Sequence, residues 1–555
     1  MKFQILIIFL FISSFSYAQN NSPLLIGNQN SYINENGVML QKTSTSPVII
    51  DKNATPVRTP IINTNSPLNN TAFRWTLKDP VAIVNTCNVS GNGLYEAATW
   101  YLNSQRISLY QNTNNTPLWE HIENTNYNPT YTALSDSGNI IAATSSYNIY
   151  MFNRGSSTPF FNFDLTTLPD TGFGLALGLT KNGKFLLTSA NRQDSTWIMF
   201  FSKDSTHWVW RYRVGESRPN GAVIFGITLS GNDSLAVVNT YYDFYIFKTF
   251  TGQLLYKNSI NPLNPYGTQT KMGISGNGSI VATVNNQGYL RVFQRADTTY
   301  NFLWQHLEPP GTYYNWMTSV DVSYDGTYIA SGTLNFLTSS TYDGKVKLFK
   351  TATGSTPLWT YSGMGDEVSS VSFSKNSKIL TAVSWGGLNV PVNNLLVFKV
   401  PNNLNQPIFA YTGAGSYSWC STSNDGLTVI AGGKKVHARA FGNGGEIDNI
   451  AVDTSDIPLS VHNISMIPKS YALRQNFPNP FNPVTKIKFD LPNNTKVKII
   501  IYDISGREIS QLVNNNLSAG SYEIEWNGND FASGVYFYKM QTESFADVKR
   551  MILIK

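Results

Sequence analysis

Two sets of side chains in this 555-residue sequence have types and spacings that bear on chemistry. The first is a recurring Ser-x-Asp/Asn-Gly. Ser90, Ser135, Thr180, Ser230, Ser275, Ser323, Ser374 and Ser423 follow one another at intervals of 45 to 51 residues. Two places after each stands Asn92, Ser137, Asn182, Asn232, Asn277, Asp325, Asn376 or Asp425. The next residue is Gly in six of the eight, with Asp233 and Ser377 as the exceptions. Oxygen donors at a fixed interval would suit a hard cation. The same residues also build tight turns, and turn chemistry alone demands this pattern, so they are read as turn formers. The second set is aromatic and sits in three long connections. Tyr313, Tyr314 and Trp316 lie in LEPPGTYYNWM, Phe336 and Tyr342 in TLNFLTSSTYDG, and Trp385 in WGGLNVPVNN, with Asp366 and Glu367 on a further connection. Flat rings beside Asn and Asp suit sugar rings or peptide, at low entropy cost.

Little else in the chain points to catalysis. HExxH, G-x-S-x-G, P-loop and EF-hand patterns are all absent from the sequence. His121 and His306 each follow a Trp by two places, in TPLWEH and FLWQH, which reads as a shared strand-edge position. Glu308, Asp366 and Glu367 are candidates to meet near one face, but their spacing does not single them out. No catalytic residue, metal ligand or cofactor is therefore assigned.

These residues must be positioned by short strands. Around Ser323, the runs 319–323, 328–332, 345–350 and 358–361 alternate apolar segments with turn residues, at lengths that suit strands and not helices. Third strands recur, ending at Tyr110, Phe152, Phe201, Phe247, Phe293, Phe349 and Phe398, with a degenerate eighth, VHARAF, ending at Phe441. Fourth strands carry Trp119, Phe161, Trp210, Tyr256, Trp304, Trp359 and Phe409. Eight repeats thus have seven internal fourth strands, and the missing one matches Phe73–Leu77 ahead of the first repeat. Residues 72–442 resemble the WD-repeat and quinoprotein-like β-propellers, in which an N-terminal segment completes the last blade. The expectation is an all-β chain with an eight-bladed propeller. Cys87 and Cys420 each lie three residues before the aligned Ser, in the first and eighth repeats, which ring closure makes neighbours. A disulfide between them is expected in an exported protein, with two buried thiols as the alternative.

Residues 1–18 carry a Lys2 n-region, an apolar run at 5–12 and a small-x-small Ser16-Tyr17-Ala18, and read as a secretory signal peptide. Residues 19–71, rich in Asn, Ser, Thr and Pro, read as a tether with room for a short hairpin around 32–40. No transmembrane segment follows. The formal charge of +6 is spread without a basic run, so nucleic acid is not an expected partner.

Residues 443–466 read as a polar linker. Beyond it, turns at Ser505-Gly506, Ala519-Gly520, Asn527-Gly528 and Ser533-Gly534 separate six or seven short strands, a small Ig-like β-sandwich. The Pro-rich start cannot lie in a central strand and is expected to brace an edge. The tail, 467–555, resembles the type A C-terminal sorting domain of the type IX secretion system. The resemblance rests on Phe477, Pro478, Asn479, Pro480, Phe481, Asn482 and Pro483, with Gly506, Gly520, Trp526 and Gly534. It implies export through that machinery, with the propeller secreted or attached to the outer surface. The reading of the whole is a binding or adhesion module for an extracellular glycan or protein. The alternatives are a carbohydrate-active enzyme working at the central opening and a quinone-dependent dehydrogenase.

Overall fold

The computed structural model describes residues 31–33, 39–41, 57–59, 71–102, 105–123, 128–168, 173–191, 195–215, 223–240, 243–259, 272–311, 315–388, 390–400, 405–440, 442–453, 470–493, 495–517, 520–529 and 531–554. Regular structure among them is strand, apart from two 3-10 turns at Leu165–Thr167 and Thr351–Thr353. No helix is long and apolar enough to cross a membrane among these residues. The signal-peptide and linker-end readings at 1–18 and 454–466 lie outside the described residues, as do Tyr313 and Tyr314. The chain divides into two compact units.

In the larger unit the repeats fold, among the described residues, into eight antiparallel sheets, seven of them built on a four-strand meander and the eighth on three consecutive strands. The sixth illustrates the pattern: Trp316–Val322, Tyr328–Phe336, Val346–Lys350 and Trp359–Tyr361 pair in sequence order. The first strands touch one another in sequence from Ile83–Val89 to Ser416–Thr422, and Ser416–Thr422 touches Ile83–Val89. This is a closed ring of propeller blades. The eighth sheet takes its outer strand from the other end of the chain, because Ala72–Asp79 pairs with Gly445–Ala451. Val57–Thr59, inside the segment read as a tether, adds a fifth strand by pairing Arg58 with Leu77. Ser31–Ile33 pairs with Met39–Gln41 as a short hairpin.

The turn chemistry repeats around the ring. Ser323 Oγ donates to Asp325 Oδ1 at 2.6 Å, Asp325 Oδ1 accepts the Thr327 N–H at 3.0 Å, and Ser323 Oγ accepts the Tyr328 N–H at 2.8 Å. Ser423 and Asp425 repeat all three bonds. The Asp/Asn side chains are thus occupied by their own turns. Gly326 has φ 75°, and the two non-glycine exceptions adopt the same left-handed backbone, Asp233 at 59° and Ser377 at 60°.

Successive sheets are locked by the fourth-strand aromatic, which packs on the aromatic ending the next sheet's third strand. Trp119 meets Phe152 at 5.1 Å, Phe161 meets Phe201 at 5.4 Å, Trp304 meets Phe349 at 5.8 Å and Trp359 meets Phe398 at 5.0 Å. Across the closure Trp75 meets Tyr110 at 5.6 Å in the same role. Several indoles also donate to a carbonyl of the next sheet: Trp119 to Arg154, Trp210 to Thr249 and Trp304 to Thr351. His121 and His306 continue this seam through Nδ1, against the carbonyls of Ser157 and Ser355.

One repeat departs from the sequence reading. The eighth third strand is Gly445–Ala451, not VHARAF, so the start of the expected linker at 443 is strand. The alternation of Val436, Ala438 and Ala440 imitates a strand, whereas Gly445–Ala451 buries Glu446, Asp448 and Asn449 and has little apolar signal. Those polar groups are held by neighbours. Asn449 Nδ2 donates to Glu96 Oε1 at 2.7 Å, Arg74 donates to Asn449 Oδ1 at 3.1 Å, and Thr76 and Tyr417 donate to Asp448.

The smaller unit has a three-stranded sheet (Ala472–Leu473, Val484–Leu491, Gly520–Asn527) and a four-stranded one (Glu508–Leu517, Thr495–Tyr502, Gly534–Gln541, Ala546–Leu553). Along Val484–Leu491 every second residue, Thr485, Ile487, Phe489 and Leu491, points inward. Ile487, Phe489 and Leu491 share one core with Ile499, Trp526, Tyr538 and Leu553.

Candidate functional site

In a four-strand meander the second-to-third and fourth-to-next-first connections emerge on the same side, because strand direction alternates. On that side of the sixth to eighth sheets the structure assembles one row of side chains. Strand Tyr328–Phe336 extends past its partner and folds back, pairing Phe336 with Tyr342. Trp316 contacts Phe336 edge to face at 5.4 Å, and Phe336 contacts Tyr342 at 5.4 Å. The row then continues through a cation. Arg439 lies 4.3 Å from the Tyr342 ring centre and 5.4 Å from that of Trp385. Asp366, buried, takes both arms of this guanidinium, Nε to Oδ2 at 2.5 Å and Nη2 to Oδ1 at 3.0 Å. A bidentate pair of this kind fixes the plane of the guanidinium. Trp316, Phe336, Tyr342 and Trp385 are all half-buried.

Arg439 and its neighbour His437 escaped the sequence reading because VHARAF was taken for a strand. The segment is instead the second-to-third connection of the eighth sheet. His437 Nε2 lies 3.8 Å from Asp366 Oδ2 and 3.3 Å from the Gly386 carbonyl, and burial lowers its pKa against the pull of Asp366. Burial, with Asp366 alongside, raises the Glu367 carboxyl to about 8, against the pull of Arg439. Glu308 does not join this group. It is 3% exposed and receives Lys347 Nζ at 2.8 Å and Asn335 Nδ2 at 2.7 Å, with His306 Nε2 at 3.4 Å. Burial alone would raise its pKa, but these hydrogen bonds and the Lys347 charge bring it down to about 2.

The expected disulfide is not formed: Cys87 and Cys420 are both buried and not bridged to each other. The Cys87 S–H points at the Trp419 carbonyl of the eighth sheet at 3.7 Å, and the Cys420 S–H at Ser370 Oγ of the seventh at 3.5 Å. Equivalent places in the repeat give equivalent directions. Each thiol faces the preceding sheet, so the two follow one another around the ring instead of meeting.

In the smaller unit the Pro-rich segment spans both sheets. Phe477 bridges to Lys486 of one, and Phe481 to Leu553 of the other. Asn479 Oδ1 accepts the Ile552 N–H at 2.9 Å. Phe481 is 1% exposed and packs on Trp526 at 5.4 Å, whereas Phe477 is 80% exposed, and Pro478, Asn479, Pro480 and Asn482 are exposed with it. Pro483 is half-buried, and its carbonyl accepts the Gly528 N–H. Gly506 takes φ 79° in a turn whose Asp503 Oδ1 accepts the N–H of Ser505 and of Arg507. Gly520 and Gly534 each begin a strand. Residues 475–555 match the family model of the secretion system C-terminal sorting domain. This tail is a sorting domain. It marks the chain for export by the type IX secretion machinery to the cell surface or beyond.

Among solved structures, the chain is similar to the β-propeller domain of Cps50 (Swd1) from Myceliophteria thermophila. The identity is 12% and the TM-score 0.42, over 56% of this chain and 96% of that one. No curated protein matches the chain.

Proposed function

We propose that this chain is an exported binding module: an eight-bladed propeller that presents a ligand face on the cell surface or in the medium. In this reading residues 1–18 direct it to the periplasm and the sorting domain carries it onward. The observation that supports a binding face is the continuous row Trp316–Phe336–Tyr342–Arg439–Trp385, spread over three sheets and fixed by Asp366. Loops on a rigid scaffold commonly carry recognition. Planar rings flanking an oriented guanidinium suit the faces of a glycan chain, the rings taking sugar C–H surface and the guanidinium an oxygen. A glycan array probed with the recombinant protein tests this. Binding is expected, and Trp385→Ala or Trp316→Ala is expected to weaken it at least tenfold with an unchanged Tm. Binding that survives both substitutions would assign these rings to loop packing alone.

A further inference from the structure

A cavity of about 240 Å³ opens among the first strands of the first to fourth and eighth sheets. Tyr131, Trp419 and Phe225 form its aromatic wall, with Leu177 and Leu179 beside them. Tyr131 and Trp419, from the second and eighth sheets, meet edge to face at 5.7 Å. Lys181 and Asp233, from the first-to-second-strand turns, lie at one end. On the same side the Tyr324 ring lies across Gly231 and Gly276, where an added Cβ would come within 2.1 and 2.7 Å of it. Lys181 Nζ is 5.6 Å and Lys375 Nζ 5.4 Å from that ring centre. The repeat has glycine at these two turns, and the ring of Tyr324 occupies the space.

The two lysines differ in what they touch. Lys375 is paired with Asp136 at 3.5 Å, across the ring. Lys181 Nζ is buried with Asp233, Lys375 and Asp136 as its charged neighbours and no acceptor within hydrogen-bond distance among the described residues, and Thr228 Oγ1, which lines the same cavity, is likewise unsatisfied. Asp233 uses Oδ2 to accept the backbone N–H of Lys181 at 3.0 Å. A buried polar atom left unsatisfied is costly, so two of them in one small cavity mark where a bound group would be stabilised. An ammonium only donates, and the rest of the lining is mainly Ala, Leu, Ile, Gly and aromatic rings, with Asn88, Thr132, Ser230 and Asp233 as the further polar members.

We propose that the cavity binds a small monocarboxylate with an apolar body, its carboxylate on Lys181 Nζ and Thr228 Oγ1 and its body against Tyr131, Trp419 and Phe225. This site is separate from the aromatic row and stands or falls without it. Calorimetric titration of the full chain with phenylacetate, phenethylamine and glucose tests it. Phenylacetate is expected to bind and the other two are not. Lys181→Met is expected to weaken phenylacetate at least tenfold without lowering the Tm, and the isosteric Thr228→Val to weaken it less. Trp385→Ala is expected to leave it unchanged. Binding of phenethylamine or glucose as tight as that of phenylacetate would overturn the assignment. So would phenylacetate binding indifferent to Lys181→Met, or no binding of any of the three.

Discussion

Asp233 and Ser377 occupy a backbone conformation that the other six repeats give to glycine, and this has a measurable cost. A left-handed φ on an L-residue is unfavourable by about 1–2 kcal/mol. The Ser377 side chain makes a long contact there, accepting the Asp325 N–H at 3.4 Å. Ser377→Gly is therefore expected to raise stability by about 1 kcal/mol, and Gly326→Ala to lower it by a similar amount or more, read as shifts in urea midpoint. Buried carboxyls set the pH response. Burial raises Glu96 to about 8, against Arg74 and Asn449, and raises Asp448 to about 7, with Glu446 adding to it. In the folded chain they hold protons that the unfolded chain releases above the ordinary carboxyl pKa. Their stabilisation is complete below that value and is lost as pH rises through 7 and 8. Glu308 acts in the opposite sense: its contribution is present above the ordinary pKa and is lost as pH falls toward 2. Urea midpoints are expected to be highest near pH 5 and to fall toward pH 9. Glu96→Gln should flatten that fall, and an unchanged slope would mean Glu96 is already ionised in the fold.

At the scale of strands, ring closure depends on Ala72–Asp79, a segment remote in sequence from the sheet it completes. Trp75 is 1% exposed and repeats across the seam the contact that Trp119 makes inside the ring. Trp119 is only half-buried. Truncating a fully buried Trp removes its transfer energy and leaves a cavity, at a cost of about 3–5 kcal/mol. Trp75→Ala is expected to lose this much in urea unfolding and Trp119→Ala distinctly less. Equal losses would show that the closing strand carries no more of the fold than any other outer strand.

For the whole molecule, the sorting domain has its own core, built wholly from residues between Leu473 and Leu553. The larger unit's cores draw on none of these. Removing residues 471–555 is expected to leave a cooperatively melting propeller that stays in the periplasm of its host, followed by cell fractionation. Surface delivery of the shortened chain would separate the tail from export.

Much of this organisation is written locally. A turn needs only its own Ser, Asp and Gly, and a strand only its alternation, so repeats, blade strands and the closing segment could be read in order along the chain. The sorting motif was legible for the same reason: Phe477 to Pro483 is a contiguous signature. What the sequence could not determine depends on direction and on partners far apart in the chain. Matched register suggested that Cys87 and Cys420 would meet, yet a ring of equivalent sheets turns equivalent side chains the same way around. Gly445–Ala451 was missed because buried polar residues carry no apolar period, and their partners, Arg74, Thr76 and Glu96, lie more than 340 residues earlier. With that strand misplaced, Arg439 was hidden, although it joins Tyr342 to Trp385. The cavity among the first strands belongs wholly to tertiary structure, since Tyr131, Lys181, Thr228 and Trp419 come together only when the first strands close into a ring.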